Sequence, residues 1–194
     1  MEATKVRLGY WNIRGLAQPI RLMLEHMGAP YTNELYTQGD APEFSRDEWL
    51  AKKFTLGLDF PNLPYLIDGD FNLTETAAIL RYLANKYDQS LLGKNNQDQA
   101  TVEMLWGVVH DMKGAITVLC YTSGDVEEFK KQVRNRLPAI LKFIGTKDYL
   151  VGDYITYVDF HLWEAMNLAV HVFGGEEAFF AEFAEAKAYH TRIA

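Results

Sequence analysis

The segment Val6–Leu16, V-R-L-G-Y-W-N-I-R-G-L, constrains the fold most. It reads as a short buried strand that runs straight into a helix. Gly15 frees the backbone at the corner, and Pro19 suits a first helical turn. Ile20, Met23, Leu24 and Met27 then repeat at helical spacing. The strand delivers Tyr10 and Trp11 to the mouth of that helix, where the positive end of the helix dipole favours an anion. Strand-to-helix corners are also where open α/β folds collect ligands. The alternative is that both rings simply pack in the core, as large aromatics often do.

Composition narrows the function classes. The 194 residues are 48% hydrophobic and 23% charged, an ordinary globular balance with room for one large domain or two small ones. A net charge of −7 argues against a phosphate-tracking nucleic-acid binder. No apolar run approaches the roughly 20 residues that span a bilayer, and the polar start M-E-A-T-K-V-R does not read as a signal peptide. The single cysteine, Cys120, cannot form an internal disulfide, which fits a reducing, cytoplasmic setting. Its neighbours I-T-V-L-C-Y suggest a buried structural residue on a helix. The five histidines lack metal-ligand spacing and read as structural or surface residues, so no metal is expected.

Along the first half, Lys5–Tyr10 reads as a strand, Ala17–Met27 as a helix and Tyr31–Tyr36 as a second strand, a βαβ unit. A long polar connection follows, with a short helix expected around Trp49; its length makes it either functional or mobile. Tyr65–Ile67 and Phe71–Leu73 form a hairpin across D-G-D. Thr74 is the expected cap of the next helix, whose apolar face carries Ile79, Tyr82 and Leu83. Leu63–Pro64 opens a strand after a tight turn, a setting in which cis proline occurs.

Asp88–Gln99 is polar and unpatterned and reads as the boundary region, giving domains 1–87 and 88–194. Beyond it everything reads helical. Leu105, Val109, Met112, Ile116 and Leu119 make one stripe. A helix from about Asp125 turns Phe129, Val133, Leu137, Ile140, Leu141 and Ile144 inward, with Pro138 as a kink or a boundary. Thr156 and Asp159 form a capping box, with Ile155 as a staple, for the charge-poor helix Tyr157–Val170 at the centre of this domain. A final helix is expected over Glu176–Ile193. The layout is an α/β thioredoxin-like domain, βαβ-ββα with a mixed four-stranded sheet, followed by an all-α domain. A thioredoxin would carry C-x-x-C before the first helix; this corner has no cysteine, which excludes disulfide exchange by this chain.

Four strings, G-Y-W-N-I-R-G-L-A-Q-P-I-R-L, Y-T-Q-G-D-A-P-E-F-S-R-D-E-W-L, K-F-T-L-G-L-D-F-P-N-L-P-Y-L-I-D-G and I-T-Y-V-D-F, resemble in order the cytosolic glutathione S-transferases of the mu class. The resemblance spans the N-terminal domain almost without a gap and continues more weakly to the end. It implies conjugation of reduced glutathione to hydrophobic electrophiles, with glutathione as co-substrate and no other cofactor. It implies that Tyr10 is catalytic and stabilises the thiolate, that Trp11 and Leu16 bind glutathione, and that Leu16 also joins the electrophile-pocket wall. Trp49 and Lys53, with Arg46, would meet the glycine carboxylate. Asn62 and Leu63, before a cis Pro64, would pair with the cysteinyl unit as an added strand does. Glu75 and Thr76 would hold the γ-glutamyl end, assisted by Asp111 from a neighbouring subunit. Tyr121, His110 and Lys113 would line the electrophile pocket in the helical domain. Phe60 and Arg81 would make dimer contacts, so a C2 homodimer is expected.

Two departures stand out. Where mu enzymes carry Gln-Ser, this chain has Glu75-Thr76; a carboxylate there can pair the amino group but repels the γ-glutamyl carboxylate. The chain also stops at A-Y-H-T-R-I-A, inside what resembles the penultimate helix, where family members run on to cover the electrophile pocket. The same fold also serves structural, crystallin-like proteins and scaffolding subunits of larger assemblies. A glutathione-dependent isomerase or peroxidase would use the same thiolate.

Overall fold

The computed structural model describes residues 5–40 and 42–194, without the side chain of Ser123. The chain divides after Asp88 into two compact units. The first holds β1 (Val6–Trp11), α1 (Gln18–His26), β2 (Tyr31–Tyr36), α2 (Asp47–Lys52), β3 (Tyr65–Asp68), β4 (Phe71–Thr74) and α3 (Thr76–Tyr87). The sheet order is β2-β1-β3-β4. β1 and β2 are parallel, and the other pairs are antiparallel, so the sheet is mixed. The parallel pair needs a crossover, which α1 supplies; the antiparallel pair needs only Gly69 and Asp70.

Side chains alternate across the sheet. Val6 and Leu8, with Leu66 opposite Leu8, are fully buried and face one side. Ile20, Met23 and Leu24 of α1 and Ile79, Leu80 and Leu83 of α3 are equally buried, and these two helices pack on each other. Arg7, Gly9, Glu34, Tyr36, Tyr65 and Ile67 face the other side. There Tyr36, Tyr65 and Ile67 form a cluster with Trp49, Leu58 and Leu63.

Two expectations in this unit need correction. Thr74 does not cap α3; it ends β4, and Glu75 takes the capping place with φ +74° and no side-chain bond. Leu80 rather than Tyr82 belongs to the core face; Tyr82 reaches outward and donates to Asp68 at 2.6 Å. In the connection before α2, Thr37 donates its amide to Glu48 and Gly39 donates to the Ser45 carbonyl at 2.8 Å.

The second unit holds a 3₁₀ turn (Gln89–Leu92), α4 (Asn96–Val118), a π-helical turn (Leu119–Ser123), α5 (Val126–Ile144), α6 (Tyr157–Val172), α7 (Glu176–Glu182) and α8 (Ala186–Ile193). The stretch read as unpatterned therefore already contains the 3₁₀ turn and the start of α4. Asn95 caps α4, accepting from the amides of Gln97 and Asp98 at 2.9 and 3.0 Å. All six inward residues expected of α5 are buried. Pro138 is no boundary: α5 runs through it, because Pro138 is exposed and the carbonyl it leaves unpaired can meet water.

The capping box forms. Asp159 accepts the Thr156 amide at 2.8 Å, and also accepts from the Leu150 amide and from Tyr189 Oη. Three further expectations fail. The last helix is two, because the chain turns at Phe183–Glu185 while Phe179, Phe183, Ala186 and Tyr189 stay buried on one stripe. Ile116 and Leu119 are only half-buried, so the stripe leaves the core before α4 ends. Cys120 sits in that turn and is exposed, not buried.

Candidate functional site

The corner between β1 and α1 is built around Tyr10. Its ring is buried, and its hydroxyl oxygen accepts the backbone N–H of Leu16 at 3.0 Å. Gly15 is required here: its φ is +43°, and a Cβ would lie 2.6 Å from the Tyr10 oxygen. Arg21 of α1 braces the corner from outside. Its guanidinium donates to the Ile13 carbonyl at 2.8 Å and lies 6.0 Å from the Tyr10 ring centroid.

Leu16 joins this corner to the next element. Thr76, first residue of α3, donates its hydroxyl to the Leu16 carbonyl at 3.3 Å. Beside it Glu75 is exposed and holds φ +74°. A positive φ on a residue that is not glycine costs about 1–3 kcal/mol and persists where surrounding structure imposes it, often at ligand sites. Leu63–Pro64 is a cis peptide bond, with Asn62 exposed just before it.

On the opposite sheet face, α2 carries Trp49 and ends at its C-cap Lys53 one turn on, whose amide donates to the Trp49 carbonyl at 2.8 Å. Trp49 is buried, flat against Tyr65 with ring centroids 6.0 Å apart and edge-on to Tyr36 at 5.4 Å. Arg46 is exposed and Lys53 half-exposed, its ammonium 5.3 Å from the Phe54 ring centroid. Among the described residues neither cation is held in an ion pair. Phe60, 80% exposed, stands on the loop after α2, and Arg81 is half-buried on α3.

In the helical unit, Asp111 lines a cavity of about 280 Å³ between the end of α4 and the start of α5, shared with Phe129 and Arg136. His110 is exposed and stacks over His161 of α6, which is fully buried and also stacks on Trp106 at 4.1 Å. Neither His161 nitrogen has a hydrogen-bond partner among the described residues. Burial, then the charge of nearby Lys113, holds its pKa well below the usual imidazole value. Lys113 is itself buried, whereas Tyr121 on the π turn is 61% exposed. The described residues contain no cluster of His, Cys, Asp and Glu able to hold a metal ion, and no helix is long and apolar enough to cross a membrane.

Comparison with known proteins bears on this arrangement. Residues 6–85 match the model of the glutathione S-transferase N-terminal domain, and residues 110–194 that of the C-terminal domain. The chain is 44% identical to glutathione S-transferase Mu 4 of Mus musculus over 83% of its length and 74% of that protein's. It is 43% identical to a glutathione S-transferase of Dermatophagoides pteronyssinus over 96% of its length and 84% of that protein's. Among solved structures it superposes on the glutathione S-transferase Blo t 8 with TM-score 0.80 and 34% identity, covering 96% of this chain and 86% of that one.

The chain belongs to the glutathione S-transferase family. Several of its relatives there, at about 44% identity, are of the mu class. Within this glutathione S-transferase, Tyr10, Leu16 and Thr76 are linked by hydrogen bonds through Leu16. Trp49, Lys53 and Arg46 gather on α2 and its flanks. Sequence reasoning missed the polar network behind Trp49. Arg7 grips Glu34 with two nitrogens, Glu34 accepts from Tyr65 Oη at 2.6 Å, and the Tyr65 and Tyr36 hydroxyls are 2.8 Å apart. The one available signal was a glycine inside a strand, Gly9, where a Cβ would lie 2.1 Å from the Tyr65 ring.

Proposed function

We propose that this protein, as a glutathione S-transferase, conjugates the thiolate of reduced glutathione to hydrophobic electrophiles, and that Tyr10 stabilises the thiolate. The observation that carries this reading is the Tyr10 hydroxyl at the strand-to-helix corner, accepting the Leu16 amide at 3.0 Å. An O–H whose oxygen already accepts a bond is polarised and donates more strongly. A free thiol has a pKa of about 8.5, and lowering it by ~2 units requires roughly 2.7 kcal/mol. One hydrogen bond to a charged group supplies about 1.5–3 kcal/mol. The sulfur then attacks an electrophilic carbon, a C–S bond forms and the leaving group departs. No covalent enzyme intermediate and no tightly bound cofactor are needed, since glutathione is consumed as co-substrate.

Around that centre the remaining roles follow. Trp49, Lys53 and Arg46 receive the glycine carboxylate; Asn62 and the backbone of Leu63 before cis Pro64 receive the cysteinyl unit; Glu75 and Thr76 receive the γ-glutamyl end. Trp11 stands beside the thiolate. Tyr121, His110 and Lys113 contribute the electrophile pocket from the helical domain. The protein works as a cytoplasmic homodimer, with Phe60 and Arg81 at the interface and Asp111 reaching the partner's glutathione. The two cations flanking α2, unpaired among the described residues, support the carboxylate site, and the exposed Phe60 supports the interface.

The test is the initial rate of glutathione conjugation to a chloronitrobenzene. A rate that saturates with glutathione is expected. A folded protein that binds glutathione without turning over would instead be a structural member of the family.

A further inference from the structure

The face of the sheet behind Trp49 carries a polar network that runs from the surface inwards. Arg7 on β1 holds both oxygens of Glu34 on β2, Nη2 at 3.0 Å. Glu34 accepts from Tyr65 Oη on β3 at 2.6 Å. Because the Tyr65 proton is spent on that carboxylate, the 2.8 Å contact with Tyr36 has one sense: Tyr36 Oη donates and Tyr65 Oη accepts. The Arg7 guanidinium holds the Glu34 carboxyl below the usual range, so the anchor of the chain stays ionised. Burial and the bond to Glu34 push the Tyr65 phenol well up, so it stays protonated.

The two phenol rings so fixed are the two that touch Trp49. Tyr65 is buried against the backbone at Gly9, where no Cβ could fit. The indole lies nearly parallel to it, at 21°, and meets Tyr36 at 65°. A flat contact and an edge contact at an angle leave one plane for the indole. Among the described residues no acceptor takes the Trp49 Nε1 proton, and an indole can only donate. The short helix that carries Trp49 has six residues and no side-chain cap, so little in its own backbone sets that plane.

We infer that Tyr65, Tyr36 and Glu34, anchored by Arg7, are positioning residues that aim the Trp49 indole N–H at the glycine carboxylate of glutathione. The inference rests on the proposed role of Trp49. It adds a specificity element: these residues set how strongly the enzyme distinguishes glutathione from a thiol peptide lacking the glycine.

The experiment compares glutathione with γ-glutamylcysteine as thiol substrate, measuring KM and kcat for wild type, Tyr65→Phe, Glu34→Ala, Glu34→Gln and Trp49→Ala, with thermal melting as a folding control. Tyr65→Phe keeps the ring and removes the hydroxyl. Its expected effect is an increase of about three- to tenfold in KM for glutathione, an unchanged kcat, and no change in KM for γ-glutamylcysteine. Glu34→Ala should behave alike, and Glu34→Gln, which keeps an acceptor, should restore most of the loss. An equal rise for both thiols would overturn the inference, since the hydroxyl would then act on the fold as a whole. No rise for either, with Trp49→Ala selectively weakening glutathione, would overturn it while leaving the role of Trp49 intact. Trp49→Ala affecting both thiols alike would remove that role and the inference together.

Discussion

The backbone N–H of Leu16 donates to the hydroxyl oxygen of Tyr10 at 3.0 Å, and the carbonyl of the same Leu16 accepts from Thr76 at 3.3 Å. One peptide residue thus couples the proposed thiolate site on β1 to the start of α3, where the γ-glutamyl end is proposed to bind. The contact exists because the chain between β1 and α1 folds back on the phenol, and Gly15 lets it do so.

Gly15→Ala would put a methyl group 2.6 Å from the Tyr10 oxygen at a φ of +43°. Both the strain and the displaced phenol should register. The expected outcome is a fall in kcat/KM of about 10- to 100-fold, since small displacements of a reacting group are costly, with a destabilisation of about 1–2 kcal/mol. Conjugation rates and chemical denaturation measure the two effects, and an active, equally stable variant would contradict this account of the corner.

Glu75 stands at the N-terminus of α3 with an exposed carboxylate where the γ-glutamyl carboxylate is proposed to bind. Removing that repulsion with Glu75→Gln should lower the glutathione KM by about two- to fivefold, the scale of an exposed charge pair. The benefit should shrink in high salt. A raised KM would mean that Glu75 serves chiefly to pair the amino group.

Legibility of the sequence varied by element. The inward face of α5 was readable because one burial pattern spans the whole helix. The Thr156–Asp159 box was readable because capping is local chemistry. The break between α7 and α8 was not, because Phe179, Phe183, Ala186 and Tyr189 keep helical spacing across it with no glycine or proline between. Nor was the π turn, whose amide of Gly124 reaches back to the Leu119 carbonyl and exposes Cys120. At the candidate site, the motif residues could be named from resemblance, but the positive φ of Glu75 could not, since only glycine, asparagine and aspartate advertise it. The Arg7–Glu34–Tyr65–Tyr36 network depends on the register of three strands, which periodicity alone leaves open.

His161 gives a pH-dependent stability with a definite sign. It is buried against Trp106, with His110 and Lys113 nearby, and its pKa in the folded protein is well below the ordinary 6.5. The unfolded chain therefore takes up a proton below about pH 6.5 that the folded chain refuses, so His161 favours unfolding progressively as pH falls through that range. Against His161→Phe, which keeps the stack and cannot titrate, wild type should lose up to about 1.4 kcal/mol of relative stability per pH unit below 6.5. His110 and His190 are common to both proteins and cancel. Urea denaturation at pH 7.5 and pH 5.5 tests this; a difference that is independent of pH would contradict it.

The central claim is that Tyr10 lowers the pKa of the bound glutathione thiol, and the most direct measurement is a titration of thiolate ultraviolet absorbance in the enzyme–glutathione complex, wild type against Tyr10→Phe. The thiol should ionise about 2 pH units higher in the variant, with glutathione affinity nearly retained. The same thiol pKa in both complexes, with glutathione still bound, would contradict it.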